Sequence, residues 1–67
     1  MKIIYDKETD TMVITLSDDK IKESDEVRPG VIADFGYQDQ IVRFEILSAS
    51  KHITQPNSVA YELQKAV

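Results

Sequence analysis

The stretch "VIADFGYQDQIVRFEIL", residues 31–47, decides the fold because two alternating runs flank a short polar connection. Apolar and polar side chains alternate on both sides of that connection, which is the period of a half-buried strand. Antiparallel pairing of the two runs places Ala33 opposite Phe44 and Phe35 opposite Val42, so that apolar side chains share one face. The stretch therefore predicts a β-hairpin with one apolar face.

The rest of the first two thirds of the chain also follows a period of two. Pro29-Gly30 interrupts the pattern and predicts a turn, because proline presets φ and glycine tolerates positive φ. One segment is weak and polar, which is typical of an edge strand. The predicted strands are 2–5, 11–17, the edge strand 20–27, 31–35 and 40–47. The segment "SASKH", 48–52, is predicted as a turn or a short irregular stretch.

The same reasoning about register pairs Tyr5 with Met12 and Ile3 with Ile14 in the first hairpin. One face of the sheet, the strongly apolar face, then carries Ile3, Tyr5, Met12, Ile14, Leu16, Val31, Ala33, Phe35, Val42, Phe44 and Ile46. The opposite face, the mixed face, carries five aliphatic residues, Ile4, Val13, Ile32, Ile41 and Leu47, alongside Thr15, Asp34, Arg43 and Glu45.

The last twelve residues, "PNSVAYELQKAV", change to a helical period. Val59, Leu63 and Val67 recur at every fourth position, and Asn57 or Ser58 suits an N-cap, so a short helix is predicted over 58–66. The chain is predicted to be a single small domain, 1–67, with strands in 1–48. Its expected fold class is α+β, mostly β: a small antiparallel β-meander of four to five strands with a short C-terminal helix.

Size and composition point to self-association. A chain of 67 residues has little stability to spare, and without cysteine it cannot use disulfides or thiolate zinc sites. The five aliphatic residues of the mixed face are too many to leave in water, and one short helix cannot cover them. They are the candidate interface of a homo-oligomer, for which a symmetric dimer is favoured.

Charge and hydropathy exclude other classes of partner. The net charge is -4 and the basic residues are scattered, so nucleic-acid binding is not expected. Tyr5, Tyr37 and Tyr61 form no stacking platform with interleaved cations. No apolar run approaches a membrane span or the core of a signal peptide, and the absence of cysteine suits a reducing compartment. We expect a cytoplasmic protein.

Asp6, Glu8 and Asp10 stand at alternate positions, as the ligands of a calcium loop do. A calcium loop also needs glycine at its sixth position and glutamate at its twelfth, and here those positions hold Thr11 and Ser17. The segment is therefore predicted to be a hairpin connection whose side chains bond nearby backbone amides. No metal or cofactor is expected.

Two further groups are candidates for a site. Asp34 lies opposite Arg43 in the predicted register, with Glu45 two residues further on, and this polar cluster is either a cross-strand ion pair or a grip for a small polar ligand. The single histidine, His52, has no catalytic motif around it and is predicted to lie on the surface. No catalytic residue is assigned, because neither group has a companion nucleophile or general base.

Several motifs together resemble the small YuzE-like proteins, a prokaryotic family of unknown function. They are Tyr5-Asp6, Glu26-Val27, Pro29-Gly30-Val31, Asp34 and Glu45-Ile46-Leu47, which span residues 1 to about 51. The chain departs from the pattern at Arg43 or Phe44, where glycine is usual, and at Ser48, where aspartate is usual. The resemblance implies a compact β-rich domain and, since some members are encoded beside small toxin-like proteins, an antitoxin-like role.

These observations favour a non-enzymatic, self-associating protein-interaction module. Its acidic surface suits a second partner that is a small basic protein. The alternative is a small-molecule or cation-binding protein that uses Asp34, Arg43 and Glu45. An enzyme is the third and least favoured hypothesis.

Overall fold

The computed structural model describes residues 1–65 and contains five strands and one short helix. Their bounds are β1 Lys2–Asp6, β2 Thr11–Thr15, β3 Ile21–Arg28, β4 Val31–Gly36, β5 Ile41–Ile46 and α1 Ala49–His52. The predicted fold class, mostly β with an antiparallel sheet and a short helix toward the C-terminus, is confirmed. Within residues 1–65, no helix has the length and apolar character needed to cross a membrane.

The five strands form one antiparallel sheet in the order β1-β2-β5-β4-β3. This order differs from a sequential meander, because β5 lies between β2 and β4 while β3 lies at an edge. The polarity of the strands explains the order. β5 is rich in apolar residues and gains two neighbours in the centre of the sheet, whereas all residues of β3 after Ile21 are exposed. The prediction that this segment is an edge strand is confirmed.

The predicted register is confirmed in the first hairpin, where Ile3 pairs with Ile14 and Tyr5 pairs with Met12. In the last hairpin, Ala33 pairs with Phe44 as predicted. The turn between β3 and β4 is also where it was expected, and Gly30 there has a φ of 78°, which glycine adopts without strain.

The predicted pairing of Phe35 with Val42 is wrong, because Phe35 pairs with Ile41. The connection at Gly36–Gln40 closes with a 2.8 Å hydrogen bond from the Gly36 amide to the Gln40 carbonyl, and this turn sets the pairing next to it. In the centre of the hairpin, Ala33–Phe44 and Asp34–Arg43 keep the predicted register. The one-residue difference between them is absorbed as a β-bulge at Val42.

The predicted helix over 58–66 is wrong for the described part of that range, since residues 58–65 have no regular secondary structure. Ala66 and Val67 lie outside the described residues. A helix this short is not stable by itself in water and needs a surface to pack against. Val59 and Leu63 are 61% and 85% exposed, so neither side chain is packed firmly enough to hold a helix. The helix that does form, α1, falls in the segment predicted as a turn or irregular stretch.

The sheet leaves the chain with a very small core. Among residues 1–65, four apolar residues are buried: Met12, Ala33, Val42 and Ala49. The molecule measures 40 × 32 × 19 Å, and its radius of gyration is 13.3 Å, against about 11 Å for a compact domain of this length. The chain is therefore a thin layer with two accessible faces.

Candidate functional site

The polar cluster forms on the mixed face, where β4 and β5 bring its three residues together. Asp34 pairs directly with Arg43, and Glu45 lies two residues further along β5 on the same face. The Arg43 Nε donates to Asp34 Oδ2 at 2.7 Å, and an Arg43 terminal nitrogen lies 3.6 Å from Glu45 Oε2. The cross-strand placement predicted for Asp34 and Arg43 is confirmed.

Asp34 is fully buried, unlike its two companions in the cluster. Its other carboxylate oxygen, Oδ1, accepts a hydrogen bond from the Ser24 hydroxyl of β3. The network therefore joins three neighbouring strands, β3, β4 and β5, through one carboxylate. Arg43 and Glu45 remain about one third exposed, with side-chain accessibilities of 36% and 31%.

Burial and hydrogen bonding act in opposite directions on these carboxyl groups. Burial raises the pKa of Asp34, but the hydrogen bonds from Ser24 and Arg43 outweigh it and hold that pKa below its ordinary value. The neighbouring Asp34 carboxyl, together with burial, raises the pKa of Glu45. The cluster thus keeps Asp34 ionised and makes the ionised form of Glu45 less favourable.

Ser24 is the member of this network that sequence reasoning missed. It lies within the acidic stretch 18–26, which shows no alternation strong enough to set a register. The structure pairs Ser24 with Asp34, so its hydroxyl lies beside the carboxylate. A register for β3 would have identified this contact, because paired residues share a face of the sheet.

The acidic turn between β1 and β2 is held by its own side chains. Asp6 Oδ1 accepts a hydrogen bond from the Glu8 amide at 3.0 Å and lies 3.5 Å from the Thr9 amide. The prediction that these side chains bond nearby backbone amides is confirmed for Asp6. Asp10 has a left-handed backbone, with a φ of 54°, which aspartate tolerates better than most residues.

Asp10 also fastens the helix α1 to the sheet. Its carboxylate accepts hydrogen bonds from the Ser50 hydroxyl at 2.6 Å, the Ser50 amide at 3.0 Å and the Tyr5 hydroxyl at 2.7 Å. Its carbonyl accepts a further bond from the Ala49 amide at 2.8 Å. The bonds from Ser50 and Tyr5 lower the pKa of Asp10, and the bond to Asp10 raises the pKa of Tyr5. The contact between Asp10 and Ser50 was not predicted, since the two residues are 40 positions apart in sequence.

His52 is exposed at the end of α1, so its predicted position on the surface is confirmed. Its ring lies near the β3–β4 turn, with Nε2 3.5 Å from the point where a Cβ on Gly30 would stand. The Ser50 hydroxyl, two residues before the histidine, donates to Asp10. Tyr37 and Tyr61 are exposed and lie in a turn and in the tail.

Four of the candidate interface residues lie on β1, β2, β4 and β5, one on each strand, and the fifth, Leu47, directly follows β5. Ile4, Val13 and Ile32 lie in one row across the mixed face, with Glu45 between Val13 and Ile32. Leu47 follows β5 and is 41% exposed, while Ile4 is 49% exposed. The prediction that Ile41 lies on the mixed face is wrong, because the bulge at Val42 pairs Ile41 with Phe35 of the strongly apolar face.

Comparison with known proteins places the sheet in one family and leaves the tail outside it. No curated protein and no solved structure matches the chain. One family matches residues 2–50, which include all five strands and the first residues of α1. The chain belongs to this family, which is described as Protein of unknown function (DUF2283).

Proposed function

We propose that the chain is a non-enzymatic protein-interaction module that self-associates. The observation that carries this proposal is its excess of accessible surface. The chain exposes 5597 Å², whereas a monomeric globular protein of 7.6 kDa exposes roughly 4,300 Å². A typical stable interface covers about 800 Å² on each partner, which is within the difference between those two values.

The excess comes partly from the tail and partly from the sheet. Residues 57–65 are exposed throughout. On the sheet, the aliphatic residues Ile4 and Leu47 of the mixed face lie between 41% and 49% exposed, and Val13 and Ile32 are only half-buried. Large aliphatic side chains on a flat surface favour association with another protein surface, because burial removes them from water. A second copy is the occupant that we propose for the mixed face.

A small basic protein is the second partner that we propose. The net charge of the chain is -4, and the acidic side chains of β3 are exposed along one edge of the sheet. Complementary charge accelerates encounter and selects partners of opposite sign. Within its family, we assign the chain to the YuzE-like proteins on the motifs given above, and we propose the cytoplasm as its location. An antitoxin-like role is consistent with that assignment.

The alternative, binding of a small molecule or cation by the polar cluster, has weaker support in the geometry. Arg43 and Glu45 are accessible enough to contact a ligand. Asp34 is fully buried, however, and both of its carboxylate oxygens already accept hydrogen bonds. A ligand would have to displace those bonds, so the cluster is better suited to joining strands than to binding.

The mixed-face proposal is tested by two substitutions of equal exposure. Leu47→Asp alters the mixed face, and Leu16→Asp is the matched control, since Leu16 continues the strongly apolar face and is also 41% exposed. Sedimentation equilibrium at micromolar concentrations measures association. We expect an oligomer for the unmodified chain, dissociation for Leu47→Asp and no change for Leu16→Asp. The reverse pattern would place the contact on the strongly apolar face and overturn the proposal.

A further inference from the structure

The two edges of the sheet differ in how they are protected. β3 forms one edge and carries two irregularities in its pairing, between Ile21 and Glu23 and between Glu26 and Arg28. β1 forms the other edge and pairs with β2 in an unbroken register over all five residues. Bulges and charged side chains are the usual protection of an edge strand against pairing with another chain. β1 has the regular geometry that accepts a further strand.

The sequence of β1, "KIIYD", is complementary to itself when a second copy runs antiparallel about Ile4. Lys2 then lies opposite Asp6 of the second copy, and Asp6 lies opposite its Lys2. Ile3 lies opposite Tyr5, and Ile4 lies opposite Ile4. Opposite charges and apolar pairs directly across a ladder both stabilise an antiparallel pair. We propose that two copies of the chain pair through their β1 strands and form one continuous ten-stranded sheet.

The two faces of the sheet are preserved by this register. Even-numbered residues of β1 meet even-numbered residues, and odd-numbered residues meet odd-numbered ones, so each face continues across the junction. Ile4, the most exposed aliphatic residue of the mixed face, gains its own counterpart as a neighbour. Ile3 and Tyr5, which are half-buried, continue the strongly apolar face. A shift by one residue would place polar side chains against apolar ones.

Antiparallel pairing between two copies is unfavourable at the other edge of the sheet, β3. Pairing β3 with a second β3 brings Glu23, Asp25 and Glu26 of one copy close to the same carboxylates of the other. Like charges across a ladder destabilise the pair, and the two irregularities interrupt its hydrogen bonds. The open edge and the protected edge therefore limit edge-to-edge pairing to two chains, because β1 offers a single junction.

This inference rests on the self-association proposed above but assigns a different surface to it. The contact on the mixed face stacks two sheets, whereas the contact through β1 joins them side by side. Lys2 and Asp6 share the mixed face with Ile4, so the discriminating observation is the recovery in a mixture of charge-exchanged variants, because pairing through β1 places Lys2 of one copy opposite Asp6 of the other.

The test is a charge exchange between two untagged variants. Lys2→Glu places two carboxylates opposite each other at both ends of the junction, and Asp6→Lys places two ammonium groups there. Each variant alone should pair about tenfold more weakly than the unmodified chain, as two cross-strand pairs change from attraction to repulsion. An equimolar mixture restores both opposite-charge pairs and should form a heterodimer of unmodified strength. Sedimentation equilibrium measures the unmodified chain, each variant and their mixture.

Two controls protect the interpretation. Lys20→Glu makes the same change in net charge next to β3 and should leave association unchanged. Asp6→Lys also removes the acceptor of the Glu8 amide, and circular dichroism must first show that this variant folds. If it does not fold, hydrogen exchange at the amides of residues 3–5 in the unmodified chain replaces the mixture. Pairing through β1 requires protection there that rises with protein concentration.

The outcomes separate this inference from the proposed function. A monomer at every concentration overturns both. An oligomer that Leu47→Asp dissociates, but that Lys2→Glu and Lys20→Glu leave equally strong, overturns pairing through β1 and leaves the mixed-face contact standing. The ten-stranded sheet is supported if Lys2→Glu weakens association, Lys20→Glu does not, and the mixture of Lys2→Glu with Asp6→Lys restores it.

Discussion

Arg43 and Asp34 face each other across β5 and β4, with 2.7 Å between the guanidinium Nε and a carboxylate oxygen that is fully buried. The Ser24 hydroxyl completes the surroundings of that carboxylate from β3. Burying a carboxylate is costly unless it is paired and hydrogen-bonded, and here both conditions are met in the middle of a thin sheet. The pair therefore links the edge strand β3 to the centre of the sheet.

Removing the arginine should destabilise the fold more than removing the whole pair. Arg43→Met leaves the Asp34 carboxylate buried with only Ser24 as a donor, and we expect a loss of about 2–4 kcal/mol in the free energy of unfolding. Asp34→Leu combined with Arg43→Met leaves no buried charge and should lose less. Urea denaturation of the unmodified chain, Arg43→Met, Asp34→Leu and the double variant forms a double-mutant cycle. Additive losses would show that the two side chains are not coupled.

The free energy of unfolding should decrease at low pH because Asp34 becomes protonated. Its pKa is lowered in the folded chain, so its contribution is complete above the unfolded value of 3.8 and is lost as the pH falls through the folded value. Asp10 acts in the same direction. Asp34→Asn should therefore flatten the decrease in stability below about pH 4, as measured by urea denaturation from pH 5 to pH 2. The same loss of stability between pH 5 and pH 2 in Asp34→Asn and in the unmodified chain would contradict the lowered pKa of Asp34.

Glu45 should have the opposite dependence on pH. Its pKa is raised above 4.5, so the ionised form is disfavoured in the folded chain and the penalty is present at pH 7. Below pH 4.5 the penalty disappears. Glu45→Gln should thus stabilise the chain by about 0.2–0.5 kcal/mol at pH 7, with no gain at pH 4. A loss at pH 7 would mean that the contact with Arg43 outweighs repulsion from Asp34.

The glycine of the β3–β4 turn should resist substitution. Gly30 has a φ of 78°, and a Cβ there would lie 3.4 Å from the Leu47 carbonyl oxygen and 3.5 Å from His52 Nε2. Gly30→Ala should cost about 1–2 kcal/mol in the free energy of unfolding because of the left-handed backbone. Gly30→Asn should cost less, since asparagine tolerates this conformation. Thermal unfolding compares the two, and equal losses would point to crowding instead.

The acidic turn should not respond to calcium. Asp6→Asn with Glu8→Gln and Asp10→Asn changes the melting temperature by the same amount with and without Ca²⁺, because the carboxylates of Asp6 and Asp10 serve backbone and side-chain donors. Some destabilisation is expected from Asp10, which holds α1. Asp6→Asn with Glu8→Gln alone separates that effect. A rise in melting temperature with Ca²⁺ in the unmodified chain would show binding to the folded state.

The strands and most of their pairing were predictable from the sequence because alternation is a local signal. Ile3 with Ile14 and Ala33 with Phe44 follow from keeping apolar residues on one face. The juxtaposition of Asp34 with Arg43 follows from the same register. The helix predicted for the tail is wrong, since Val59 and Leu63 have helical spacing but remain mostly exposed.

The sequence by itself determined which segments become strands, which face is apolar and where the chain turns at Pro29-Gly30, because these depend on neighbours within a few residues. The tertiary structure alone decided the placement of β5 between β2 and β4, the bulge at Val42, and the contacts of Asp10 with Ser50 and of Ser24 with Asp34. The physical reason is that these features arise when residues distant in sequence compete for the same position in the sheet. Packing and hydrogen bonding across the whole sheet decide which residue takes each position, and the periodicity of a short segment carries no information about them.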